Sequence, residues 1–125
     1  MRLLVSAHPT VLLEKLTTNS GVVIIPNMKP IELLRQRIVF SENQFAELVL
    51  WRLAQPLMES RHSFKYRLAY VVNGKCVLRY DNEAGKGDHC HWDNQEIKYE
   101  FTTPEQLLAD FQQDIERWNH ENSCS

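Results

Sequence analysis

At 125 residues, 43% of them hydrophobic and with a formal net charge of −2, the chain has apolar material for one core and too little length for two, so a single domain is expected. No stretch approaches the roughly 18 uninterrupted apolar residues that a membrane helix needs, and the apolar run at 3–5 is too short for an export signal, with Glu14 and Lys15 close behind. Cys76, Cys90 and Cys124 are odd in number and widely spaced, which fits neither a disulfide framework nor a paired metal or redox motif, so a reducing cytoplasm is the expected compartment.

In chain order, Pro9 to Leu16 carries Val11, Leu12, Leu13 and Leu16 at spacings that suit a short helix, with a turn at 17–21. Val22 to Ile25 is a β-branched run stopped by Pro26, which suggests a short strand. Residues 31–40 fit helix or strand, whereas Phe45 to Leu53 is dense enough in apolar residues to read as a largely buried strand. Phe64, Tyr66, Leu68, Tyr70 and Val72 then occupy every second position, the signature of a strand with two distinct faces. Asn73-Gly74 follows at once; both tolerate positive φ, as a type I′ turn demands, so Lys75 to Asp81 is the expected partner strand. With a two-residue loop and an unbroken ladder, Leu68 faces Arg79 and Tyr66 faces Asp81, placing Arg79 among Tyr66, Leu68 and Tyr70. Ala69, Val71, Cys76 and Leu78 then make the apolar face, and a bulge would exchange the two. Thr103-Pro104-Glu105-Gln106 offers a hydroxyl N-cap, Pro at the first helical position and Gln to complete a capping box. Leu107, Leu108, Phe111, Ile115 and Trp118 form the stripe by which that helix packs. The expected fold is α+β: an antiparallel sheet of about four to six strands, a C-terminal helix on one face and a short N-terminal helix.

The net charge averages unlike segments. Residues 1–51 carry five basic and four acidic side chains, residues 52–80 six and one, and residues 81–125 three and eleven, for balances of +1, +5 and −8. Screening confines a surface field to about 8 to 10 Å, so the +5 segment, folded onto neighbouring strands, attracts phosphate even in a slightly acidic molecule. Spread over a solvated sheet face, the same charges are ordinary surface.

The run Arg61-His62-Ser63-Phe64-Lys65-Tyr66-Arg67-Leu68-Ala69-Tyr70 leads into Leu78-Arg79-Tyr80-Asp81-Asn82-Glu83-Ala84-Gly85-Lys86-Gly87-Asp88-His89-Cys90-His91, with Glu105 to Phe111 beyond. Over residues 45–118 this resembles the TumE family of toxin-antitoxin toxins, in which such a hairpin leads into a YDNExGKGDHxH-type segment and a closing helix. The resemblance implies a toxin encoded beside a small winged-helix or helix-turn-helix DNA-binding antitoxin, with which it forms a complex. Many small bacterial toxins act on RNA, so an endoribonuclease is the expectation at the level of class. RNA and a second copy of the chain are the other partners this reading admits; it involves no membrane.

Cleaving RNA without a metal or cofactor requires a base for the 2′-hydroxyl proton, an acid for the leaving oxygen, and cations for the phosphorane. His89 and His91 suit the proton transfers, since imidazole titrates near neutrality. Lys86 and Arg79 suit the cationic role, Arg67 a phosphate contact, and Tyr66 and Tyr80 the stacking of unpaired bases. Gly85 and Gly87 could turn N–H groups towards phosphate, though Gly-Lys-Gly is also an ordinary turn. Asp81, Asn82 and Asp88 could contact substrate or orient a histidine, or simply cap a turn as such residues do after strands. Arg61 and His62 either extend the basic surface or decorate a loop. The competing chemistry is a metal held by His89, His91 and one of Asp88, Asp81 or Glu83, since an extended His-x-His projects both rings to one side with Cys90 pointing away. A module that binds protein or nucleic acid through the hairpin and following segment, without turnover, is the alternative from a different class.

Overall fold

The computed structural model describes residues 29–123. The helix expected near 9–16 and the strand at 22–25 lie outside the described residues. The ambiguous stretch is strand β1 (Ile31–Ser41), and β2 (Gln44–Arg52), β3 (Phe64–Val72), β4 (Lys75–Glu83), β5 (Gly87–Trp92), β6 (Gln95–Lys98) and helix α1 (Pro104–Asn122) follow. The six strands form one antiparallel sheet in sequence order, and α1 packs across β3 and β4. No helix of the described residues is long and apolar enough to cross a membrane.

Alternation dictates which face of the sheet is covered. Leu48, Leu50, Tyr66, Leu68, Tyr70, Leu78 and Tyr80 are buried together beneath Leu107, Leu108, Phe111 and Ile115 of α1, the stripe expected from helical spacing. Thr103 accepts the N–H of Gln106 at 3.0 Å, but the Gln106 side chain donates to Asp110 at 2.8 Å; only half of the capping box forms. Asn73 and Gly74 have φ of 53° and 78°, as the hairpin turn requires.

The register of that hairpin differs from the unbroken ladder. Val72 pairs with Lys75 and Val71 with Cys76, but Tyr70 then pairs with Leu78, so Val77 is an extra residue on β4. The bulge lets Val77 and Leu78 both face the core, where both are buried, and it sets Leu68 opposite Tyr80 instead of Arg79. Arg79 therefore leaves the tyrosine face and stands on the helix-free face, opposite Ala69, while Leu78 joins the core. The physical reason is burial: the unbroken ladder would put a guanidinium where Leu78 and Tyr80 now supply apolar surface beneath the helix.

Strand β4 runs two residues past its expected end, and β5 and β6 continue the sheet beyond it. Asn82, almost fully buried, secures the extension. Its Oδ1 accepts the N–H of Tyr66 at 3.1 Å and its Nδ2 donates to the carbonyl of Phe64 at 2.8 Å, so the side chain does for β3 what a neighbouring strand would. Asn82→Ala should therefore strand two buried main-chain groups and cost about 2 to 3 kcal/mol. The check is urea unfolding, with a lower midpoint at unchanged slope.

Candidate functional site

Directly opposed residues share a face, so the register aligns two rows across the helix-free side. One reads Arg35, Val49, Arg67, Asp81, His89 and Lys98; the other reads Arg37, Glu47, Ala69, Arg79, His91 and Glu96. The His-x-His spacing on β5 turns both imidazoles to this side, with ring centroids 5.1 Å apart, while Cys90 faces the other way.

A continuous polar chain joins these groups. Lys86 Nζ lies 3.2 Å from Glu96, whose other oxygen is 3.6 Å from His91 Nε2. Arg79 Nη2 donates to that same Nε2 at 3.0 Å, since guanidinium has no acceptor, which leaves the ring proton of His91 on Nδ1. Arg79 Nε lies 3.1 Å from Asp81 Oδ2, and His89 Nε2 2.6 Å from Asp81 Oδ1. Both contacts are near enough for ion pairing yet too poorly aligned for hydrogen bonds, so Arg79 Nε and Asp81 Oδ1 are buried without a hydrogen-bond partner. Unsatisfied buried polar atoms of this kind are rare, and functional sites are one of their usual settings.

The two histidines are not equivalent. His91 keeps 21% of its side chain exposed and His89 only 4%, with His89 Nδ1 also within 3.2 Å of the Gly87 carbonyl. Desolvation pulls the pKa of His91 down, and the charge of Arg79 adds to the effect, so the imidazole is held neutral. Lys86 stands at the rim on the β4–β5 turn, where Gly85 and Gly87 take positive φ. Arg67 is exposed beside Asp81 yet forms no ion pair among the described residues, because that carboxylate already faces Arg79 and His89.

Other residues named from the sequence lie on the helix side. The rings of Tyr66 and Tyr80 are buried and offer no open stacking face; their hydroxyls donate to Asp88 and Asp114, each at 2.6 Å. Burial, reinforced by those carboxylates, drives both phenols far above their usual pKa and keeps them donors. Asn82 is committed to main chain, and Asp88 binds Tyr66 and His62. Glu96 escapes a reading of the sequence, and His62, named there only as basic surface or loop, takes a different part. Glu96 enters because Asp93-Asn94 folds β6 back with Glu96 opposite His91, a short turn whose polar pair was the available signal. His62 sits in a loop without periodicity, and only the fold brings it to Asp88.

Asp81, His89 and His91 could each offer one ligand atom to a metal, all within 4.8 Å of one another. The Arg79 guanidinium, however, contacts Asp81 and His91, so a divalent ion there would compete with it for both. Proton transfer beside a fixed cation and metal ligation are thus rival uses of the same groups. Titrated by NMR, His91 should show a midpoint below the ordinary 6.5. Arg79→Ala should move that midpoint upward, because it removes a positive charge that opposes protonation. A group depressed in the fold leaves the unfolded chain to bind the proton first, so acidification from pH 6.5 down to the native midpoint should erode stability through His91.

The model of one protein family, described as Toxin TumE, matches residues 11–119, most of the chain. No curated protein and no solved structure matches it.

Proposed function

This chain belongs to the TumE toxin family, and on that premise we propose that its helix-free sheet face cleaves single-stranded RNA by metal-free acid–base chemistry. A toxin family implies an antitoxin partner; a DNA-binding protein encoded alongside is the form we propose for it. The observation that carries the reading is the meeting of a neutral, solvent-reaching imidazole, His91, with Arg79 and the His89–Asp81 pair on one uncovered surface.

A phosphate arriving beside Arg67 and Lys86 competes with His91 for the Arg79 guanidinium. Once Arg79 turns to the phosphate, His91 Nε2 is free to take the 2′-hydroxyl proton. The 2′-oxygen bonds to phosphorus, the bond to the 5′-oxygen breaks, and Arg79 and Lys86 offset the charge that builds on the phosphoryl oxygens. The enclosed His89 acts through Asp81: as the imidazolium, with Nδ1–H on the Gly87 carbonyl, it gives its Nε2 proton to Asp81, the Asp81 carboxyl group hands a proton to the leaving 5′-oxygen, and solvent reprotonates His89 after release. That makes His89 a positioning and relay residue, with His91 in contact with substrate.

The test is cleavage of single-stranded RNA by the full chain, with and without EDTA. EDTA should have no effect, and His91→Ala, confirmed as folded, should lose about 10²- to 10⁴-fold in kcat, the usual worth of a general base. The kcat/KM, which reports the free protein, should survive acidification to below pH 6.5, following the depressed pKa of His91. His89→Gln should shift the pH profile as well as the rate. Cleavage unchanged in His91→Ala would remove this residue from the mechanism, and loss with EDTA would favour the metal.

Burial of His89 favours a second reading, a module that binds without turnover. It predicts no product at any pH, but RNA binding that weakens with salt and in Arg67→Ala.

A further inference from the structure

The β2–β3 loop, the β4–β5 turn and the link from β6 to α1 meet at one end of the sheet around a cleft of about 670 Å³, from which the chemistry above draws only Lys86. Main-chain bonds fix its walls before any ligand arrives. Gly85 N–H donates to the Met58 carbonyl at 3.0 Å, and Tyr99 N–H to the Asp88 carbonyl at 3.1 Å.

The lining has three kinds of group. Phe101 stacks on His62 with centroids 4.0 Å apart, giving an aromatic wall. Arg61 and Lys98 are exposed and form no ion pair among the described residues, and Lys86 joins them; Glu59 and Glu100 also lie on the rim. Deeper in, Asp88 Oδ2 accepts from Tyr66 at 2.6 Å and from His62 Nε2 at 2.8 Å. His62 Nδ1 accepts the N–H of Phe64 at 3.1 Å, which keeps the ring proton on Nε2 and the ring donating. The carboxylate is thus clamped through one oxygen, while Oδ1 takes no hydrogen bond from the described residues.

A cleft with cations at its mouth, an aromatic wall and a fixed acceptor in its depth fits a ligand that is anionic at one end and a flat N–H donor at the other. We propose that it is a base-recognition subsite for the RNA strand, taking adenine, cytosine or guanine and rejecting uracil. A clamped carboxylate oxygen accepts from an exocyclic amino group, as aspartate does from the cytosine amine, whereas uracil has no amino group and flanks its single N3–H with two carbonyl oxygens that repel the carboxylate. Lys86 lines the cleft and also begins the polar chain that runs through His91, and the carbonyl of Gly87, another lining residue, accepts from His89. A strand rounding the β4–β5 turn would therefore fill both sites.

The proposal rests on RNA being the substrate, and two measurements keep the failures apart. The first titrates AMP, CMP, GMP and UMP into the full chain and follows the Phe101 and His62 resonances. The first three should perturb the cleft at concentrations where UMP does not. The second compares cleavage of uridine-only oligonucleotides with ones carrying a single adenosine, cytidine or guanosine. Asp88→Asn should reverse both preferences, because the amide oxygen takes the bonds from Tyr66 and His62 and the NH₂ group then faces the base. Arg61→Ala/Lys98→Ala, confined to the exposed rim, should raise KM about tenfold at unchanged kcat, the effect of losing about 1.4 kcal/mol of binding. RNA cut without base preference, with KM unmoved in the rim variant, overturns the subsite. Selective mononucleotide binding without cleavage upholds it and overturns the cleavage reading instead.

Discussion

A single extra residue, Val77, decides what each side of the sheet is for. Without it, the hairpin would turn Arg79 and Asp81 towards the helix and Leu78 and Tyr80 towards solvent. The bulge adds one residue to β4 alone, so every side chain beyond it changes face while β3 keeps its own. Core and candidate site are thereby assigned together: Leu78 and Tyr80 become available to Phe111 and Ile115 only because Arg79 and Asp81 move to meet His89 and His91.

The same alternation explains how much was legible in advance. The two faces of β3, the Asn73-Gly74 turn, the Thr103 cap and the helical stripe are local patterns, set by residues within a few positions of one another, and each is visible in the sequence. The bulge is not local in that sense. Its trace is the adjacent pair Val77-Leu78, which breaks period two just before Arg79, Tyr80, Asp81 and Asn82 resume it. Turn geometry alone favours the unbroken ladder; the need to bury Leu78 and Tyr80 opposite Tyr70 and Leu68 overrides it. The pairing of His89 with His91 follows from an extended His-x-His, but the enclosure of His89 depends on Gly87 and Asp81, which no spacing rule weighs.

Tyrosine illustrates a second limit of composition. All four tyrosines of the chain, Tyr66, Tyr70, Tyr80 and Tyr99, have hydroxyls bound to side chains: Asp88, Asn119, Asp114 and Asp110. Part of the −8 balance of the last segment is thus structural, since three of its carboxylates accept hydrogen bonds from tyrosine hydroxyls. The pairs at Tyr70, Tyr80 and Tyr99 tether α1 to the sheet and to the chain leading into the helix, while Tyr66–Asp88 joins β3 to β5, each supplying the polar partner that a covered phenol requires. Of the residues that suggested stacking surfaces, Tyr80 proves to be a bolt between layers and Tyr66 a bolt between strands, and at the end cleft the stacked pair is Phe101 and His62 instead.

Charge on the open face is arranged by prior commitment. Asp81 is the only carboxylate directly opposite Arg67 on β4, yet it is already drawn to Arg79 and His89, so Arg67 keeps a positive charge without an internal partner among the described residues. Arg79 in turn has its guanidinium divided between a carboxylate it does not align with and a neutral imidazole, a weaker pair of partners than one phosphate could provide. Such a group is poised to exchange partners. If phosphate takes Arg79, His91 gains a free lone pair at the moment a substrate is present to use it, and the cation that had suppressed protonation of the imidazole is neutralised by the same event. Binding would then raise the basicity of the base it exposes, a coupling that follows from the guanidinium lying between the two, and one that a metal bound to Asp81 and His91 in its place would abolish.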